Sequence, residues 1–147
     1  MRTKIIYLLL VIAGSISCSP KIAKENKVAN VLNGKWELFE ISDISAFDRL
    51  YPEKQPMIIF DFMEHRVSGN TSCNAFSGPL KVDGLAVNFQ QPMVMTKMAC
   101  GGNGETTFMA VLAKVDGYFV SADQKTLHLK AGESVVMKFN KIYDRVE

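Results

Sequence analysis

Few side chains in this 147-residue chain could do covalent or metal chemistry. They are three cysteines (Cys18, Cys73 and Cys100), two histidines (His65 and His128) and a run of methionines. A cysteine nucleophile needs a base beside it. His128 lies between Leu127 and Leu129, so strand alternation turns it the other way, toward solvent. His65, between Glu64 and Arg66, reads as a loop residue. Neither histidine is expected beside a cysteine, and the carboxylates are scattered singly, so no catalytic residue is assigned. Met93, Met95 and Met98 cluster, and thioethers suit Cu(I). Met93 and Met95 share one strand face, however, and methionine commonly fills irregular cores, so packing is the stronger expectation. No metal and no cofactor are expected.

Cys18 has a different setting. Arg2 and Lys4 precede an uncharged stretch from Ile5 to Ile16, the layout of a secretory signal peptide. The stretch falls short of the roughly 20 residues that a spanning helix needs. It runs out in Gly14-Ser15-Ile16-Ser17-Cys18, which resembles the bacterial lipobox, although Ser15 stands where leucine is usual. The expectation is a leader at 1–17 and a lipid on Cys18, with a tether at 18–31. The protein would then be exported and held at a membrane of the bacterial envelope. Ordinary cleavage after Ser15 or Ser17 is the alternative.

Arg2 and Lys4 would leave with that leader. The whole chain has 17 Lys+Arg and 15 Asp+Glu, so 15 of each remain. A nucleic-acid partner is not expected, because nothing replaces phosphate counterions. The remaining length suits one domain, expected at 32–141, with a tail at 142–147. Cys73 and Cys100 are the domain's only cysteines. In an oxidising compartment such a pair is usually a disulfide. Two buried thiols or a pair of metal or redox ligands are the rival readings, and the lack of a CxxC spacing weakens the last.

The elements that would position these residues are mostly short alternating runs. Trp36 and Leu38 mark one strand, and Ile58, Phe60 and Phe62 another. Val67–Asn74 reads as a looser strand in which Gly69 and its polar neighbours predict a bend or bulge. Asp83-Gly84, between Leu80/Val82 and Leu85/Val87/Phe89, predicts a two-residue type I′ hairpin. Met93–Lys97 is a further possible strand. Tyr118–Val120, Thr126–Lys130 and Val135–Phe139 close the chain. Ile44, Phe47 and Leu50 recur at helical spacing in a polar stretch that could hold a short helix. The well-marked helix carries Phe108, Leu112 and Val115, with Asn103 as candidate N-cap, Glu105 suited to the helix dipole and Gly117 as stop. The fold class is therefore mostly β with one helix (α+β), a compact curved antiparallel sheet or small barrel. Its expected core is Trp36, Leu38, Ile58, Phe60, Leu80, Val82, Val87, Phe89, Phe108, Leu112, Leu127, Leu129, Val135, Met137 and Phe139.

Several segments, in order, resemble the META domain family, which includes the HslJ-like heat-shock proteins. They are Gly34-Lys35-Trp36, then Val67-Ser68-Gly69-Asn70-Thr71-Ser72-Cys73-Asn74 with Phe76 and Gly78. Thr96-Lys97-Met98-Ala99-Cys100 follows, then Glu105, Phe108 and Leu112. The most specific pieces are Cys73-Asn74 and the Thr96–Cys100 run. Each cysteine lies in one of these pieces, which suggests that they meet. Ser72 stands where the family pattern usually has glycine, so the backbone there is expected to suit a residue with a Cβ. The resemblance implies a curved β-structure with one helix, on lipoproteins or periplasmic proteins linked to heat or envelope stress and antibiotic tolerance. It carries no catalytic residues.

Asn70 and Asn74 are the candidate binding residues, in a stretch of small polar side chains. The competing expectation is that both satisfy the backbone of a tight turn. The favoured function is a non-enzymatic envelope module that binds a protein or stabilises the surface under stress. The alternative is a small-molecule binder with a cavity in the curved sheet.

Overall fold

The computed structural model describes residues 31–143. The expected leader, lipidated Cys18, all of the tether but Val31 and most of the C-terminal tail lie outside the described residues. Along the chain run β1 (Gly34–Ile41), α1 (Phe47–Leu50), β2 (Met57–Asp61), β3 (Arg66–Asn70), β4 (Ala75–Pro79), β5 (Val82–Asp83), β6 (Ala86–Val87) and β7 (Val94–Met95). Then come α2 (Gly104–Leu112), β8 (Gly117–Val120), β9 (Thr126–Ala131) and β10 (Ser134–Ile142). The strands form one antiparallel sheet in the order β5-β6-β8-β9-β10-β1-β2-β3-β4-β7. Its edges, β5 and β7, are two residues each, which leaves little unpaired backbone to recruit another chain.

The sheet is curled but open. Phe60 on β2 and Phe89 just beyond β6 lie 6.2 Å apart between ring centroids. In strand order β8, β9, β10 and β1 intervene. On a flat sheet five strand spacings would separate them by about 24 Å. The curl therefore brings distant strands over one core, and α2 covers it, with Phe108 against Phe76 at 6.0 Å. Strands β5 and β7 do not pair, so the expected barrel does not close. The expectation of one helix is also corrected: the polar stretch folds its short helix, α1, whose Phe47 and Leu50 pack against the core.

Most of the expected core is buried, from Trp36 and Leu38 through Phe139. Three members are only half-buried. Val82 sits on the edge strand β5, where neighbours are missing on one side, and Leu80 lies in the link between β4 and β5. Val135 is displaced by a bulge between Val135 and Met137, and Val136 packs on the core in its neighbourhood instead. A second bulge between Leu38 and Glu40 turns Ile41 inward and leaves Glu40 to pair with Lys138 at 2.8 Å. Simple alternation misses both shifts, because an inserted residue reverses the faces after it. Leu32, Ile41, Tyr51, Val67, Phe76, Val115 and Tyr118 complete the core.

One turn expectation is also corrected. The hairpin pairs Val82 with Val87 and Asp83 with Ala86, so Gly84-Leu85 is its loop, one residue later than expected. Only Gly84 takes positive φ there, +60°, which is the requirement of a II′ turn and not of I′. Of the bend or bulge expected within Val67–Asn74, the bend is found: β3 pairs in unbroken register with β2 and β4 up to Asn70, and the chain then bends at Ser72–Asn74. Gly69 serves close approach, since a Cβ there would sit 1.9 Å from the Met57 carbonyl oxygen.

Candidate functional site

Of the family-motif residues, Cys73, Asn74, Thr96, Met98 and Cys100 converge where β3 turns into β4. Thr71 N–H donates to the Asn74 carbonyl at 2.8 Å, and Asn74 N–H donates to Thr71 Oγ1 at 3.0 Å. The Asn74 side chain, 2 % exposed, then leaves its own turn. Its Oδ1 accepts from Met98 N–H at 2.7 Å and from Thr96 Oγ1 at 2.8 Å. Its Nδ2 donates to the Met98 carbonyl at 3.1 Å. One amide thus holds both backbone groups of Met98 and the Thr96 hydroxyl, so the Asn74 side chain acts as a structural clamp. That overturns the expectation that Asn74 serves its local turn. Asn70 does serve it: its Oδ1 accepts from Ser72 N–H at 3.0 Å.

Cys73 and Cys100 are bonded as a disulfide, with Cα atoms 6.1 Å apart. The bond lies in a polar cleft of 630 Å³ whose walls include Lys54, Ser72, Met98 and Glu105. Glu105 at the start of α2 reaches across to Thr71, whose Oγ1 donates to its carboxylate at 2.6 Å. That bond holds the Glu105 carboxyl below the usual carboxylate range; burial pushes the other way, and Asn74 adds to the lowering. The expected side-chain cap from Asn103 is absent; only its carbonyl is used, by Thr107 N–H at 2.9 Å.

Ser72 overturns the expectation drawn from its departure from glycine. Its φ is +82°, in the region where a Cβ is strained. Ser72→Gly is expected to stabilise the protein by about 0.5–1 kcal/mol, the relief of strain exceeding the backbone entropy that glycine adds to the unfolded chain. An unchanged or lowered urea midpoint would contradict this.

Glu105 predicts a pH dependence. Its folded pKa is depressed, so it adds stability above the unfolded carboxylate pKa, and this is lost as pH falls through the folded value. Thr71→Val removes the donor and leaves the carboxylate and the Asn74 N–H short of a partner. It is expected to cost about 1–3 kcal/mol at neutral pH and less in acid. Melting curves of both proteins across the acid range check this; parallel curves would refute it.

The remaining candidates do not join the site. His65 sits in the exposed turn between β2 and β3, with φ +48°. His128 on β9 is separated from β3 by β10, β1 and β2. It does point away from Leu127 and Leu129, but it is half-covered and stacks on Phe119 at 4.2 Å. Burial and then Lys138 depress its pKa, against Glu40. Met93 and Met95 pack on the core, as their shared face implies, whereas Met98 is 60 % exposed at the cleft. Trp36 is buried, its Nε1–H donating to the Leu32 carbonyl at 2.8 Å, and Lys141 lies 4.8 Å over its ring. Sequence reasoning missed Thr71. The Thr71-x-x-Asn74 spacing of a side-chain-closed turn is the signal that could have found it.

An open antiparallel sheet, curled over one core and stapled by a disulfide between the β3–β4 turn and the loop before α2, defines a small β-domain class without a nucleophile–base pair among the described residues. The META domain family matches residues 29–142, and the chain belongs to it. The solved structures supply the fold. A DUF4847 family protein from Bacteroides vulgatus ATCC 8482 is similar at a TM-score of 0.55 and 13% identity, over 78% of this chain and 96% of that one. A protein from Burkholderia xenovorans, solved by NMR, is similar at a TM-score of 0.57 and 20% identity, over 79% and 87%. No curated protein is similar enough to count as a match.

Proposed function

We propose that this META-domain protein is an exported module of the bacterial envelope, lipid-anchored through Cys18, that acts under stress without catalysis by binding a partner protein or stabilising the surface. The observation that carries the binding mode is the filled concave side of the sheet. Trp36, Phe60, Phe108 and Phe139 occupy it at 1 % exposure or less. A small-molecule binder of the kind housed inside a curved sheet needs an open apolar cavity there. The disulfide fits an oxidising compartment, where such bonds persist. The leader and the small residues before Cys18 support export and lipidation.

The anchor is tested by metabolic labelling with a fatty-acid analogue, which is expected to mark the wild type and not Cys18→Ser. Labelling of both, or of neither, overturns it. For the role, loss of the protein is expected to lower survival of envelope stress. Wild type is expected to restore survival and Cys18→Ser to fail; full rescue by Cys18→Ser would separate the role from the anchor and refute the proposal.

A further inference from the structure

We propose that the Cys73–Cys100 bond is a reversible thiol–disulfide switch, opened from the cleft by an external dithiol, and that opening it frees residues 99–102 while the sheet stays folded. This rests on the cleft's geometry and not on the export reading. Cys100 is exposed and Cys73 half-buried, and both line the cleft. Apart from the disulfide, residues 99–102 have no hydrogen bond to any described residue. Gly101 and Gly102 have nothing within 4 Å of where a Cβ would stand. One covalent bond therefore holds this segment down. On either side the chain is fastened independently: Asn74 grips Met98, and Tyr51 Oη–H donates to the Gly104 carbonyl at 2.9 Å.

The two sulfurs are not equivalent. Asn74 Nδ2 lies 3.3 Å from Cys73 Sγ and can donate to it. The Met98 carbonyl oxygen, which opposes charge on that sulfur, lies farther off at 3.7 Å, so the nearer N–H prevails, stabilises negative charge growing on Cys73 and makes Cys73 the better leaving group. A thiolate of the incoming dithiol attacks the exposed Cys100 sulfur. The S–S bond breaks, its electron pair goes to Cys73, and the Cys73 thiolate takes a proton. The reductant's second thiolate then attacks its own sulfur in the mixed disulfide and releases the Cys100 thiolate, which is protonated. The reductant leaves as a disulfide, so two electrons have passed to the protein. Lys54 in the cleft wall favours an anionic thiolate, while Glu53 and Glu105 oppose it.

The test uses the full-length Cys18→Ser chain, which keeps thiol chemistry at the bridge. Glutathione, a monothiol, is expected to leave its mixed disulfide on Cys100 by at least 10-fold over Cys73, read by mass spectrometry of peptides. Dithiothreitol is expected to reduce the bond in the folded protein at a rate proportional to its concentration. Backbone order parameters from NMR relaxation are then expected to fall at residues 99–102, from about 0.85 to below about 0.6, with amide exchange in β1, β2 and β10 unchanged. An adduct favouring Cys73, or none favouring Cys100, overturns the direction of attack. Reduction only at the rate of global unfolding, or faster exchange throughout the sheet, overturns the switch. A Cys73→Ser/Cys100→Ser chain that folds provides a second reading: its order parameters at residues 99–102 are expected to match those of the reduced wild type, and values like the oxidised protein's would refute the proposal.

Discussion

Phe60→Ala is expected to cost about 3–5 kcal/mol, the range for truncating a large buried aromatic. Phe60 is 1 % exposed, paired across the sheet with Gly34 and Val67. Its ring also meets Phe89 from far along the strand order, so the truncation both leaves a cavity and loosens the curl. Total stabilities of about 5–15 kcal/mol make this a large fraction of what holds the domain. The control is Val94→Ala on the β7 edge, where the side chain is 79% exposed and the cost is expected to stay under about 0.5 kcal/mol. Urea midpoints measured at unchanged slope decide it. Equal losses at the two positions would mean that the curl does not organise the core.

Reducing the disulfide is expected to cost about 3–4 kcal/mol, on the chain-entropy account of a loop closed over 27 residues. At this domain size that lowers the melting temperature by roughly 10–20 °C. In the Cys18→Ser background no thiol is expected to react with an alkylating agent until reductant is added. The loss is expected through the unfolded chain, which gains freedom, while the folded sheet keeps its contacts. Immediate alkylation without reductant, or a melting temperature unmoved by reduction, would contradict the bond.

The legible part of the structure was what a residue's near neighbours decide. Alternation located β1, β2, β8, β9 and β10 and chose Trp36, Leu38, Leu127, Leu129 and Phe139 for burial, because strand side chains alternate whatever the sheet does later. Helical spacing located α2 for the same reason. The META family pattern identified the two cysteine-bearing segments and the family itself. What escaped depends on strand pairing and turn contacts that leave no mark in the local pattern. The bulges at Leu38/Glu40 and Val135/Met137 reverse faces without any local mark, and so exchanged Val135 for Val136 and turned Ile41 inward. The Gly84-Leu85 loop is set by Val82 meeting Val87, which overrides the Asp83-Gly84 preference. Ser72 accepts a left-handed backbone because the turn is held from both sides, by Asn70 and by the Thr71–Asn74 pair. Asn74 looked local and is a long-range clamp, since its partners at Thr96 and Met98 arrive only when β7 pairs with β4. Composition and pattern thus determined a β-rich domain and its family. Tertiary structure decided the open curl, the cleft and which side chains meet there, because those follow from contacts between segments that the chain brings together only on folding.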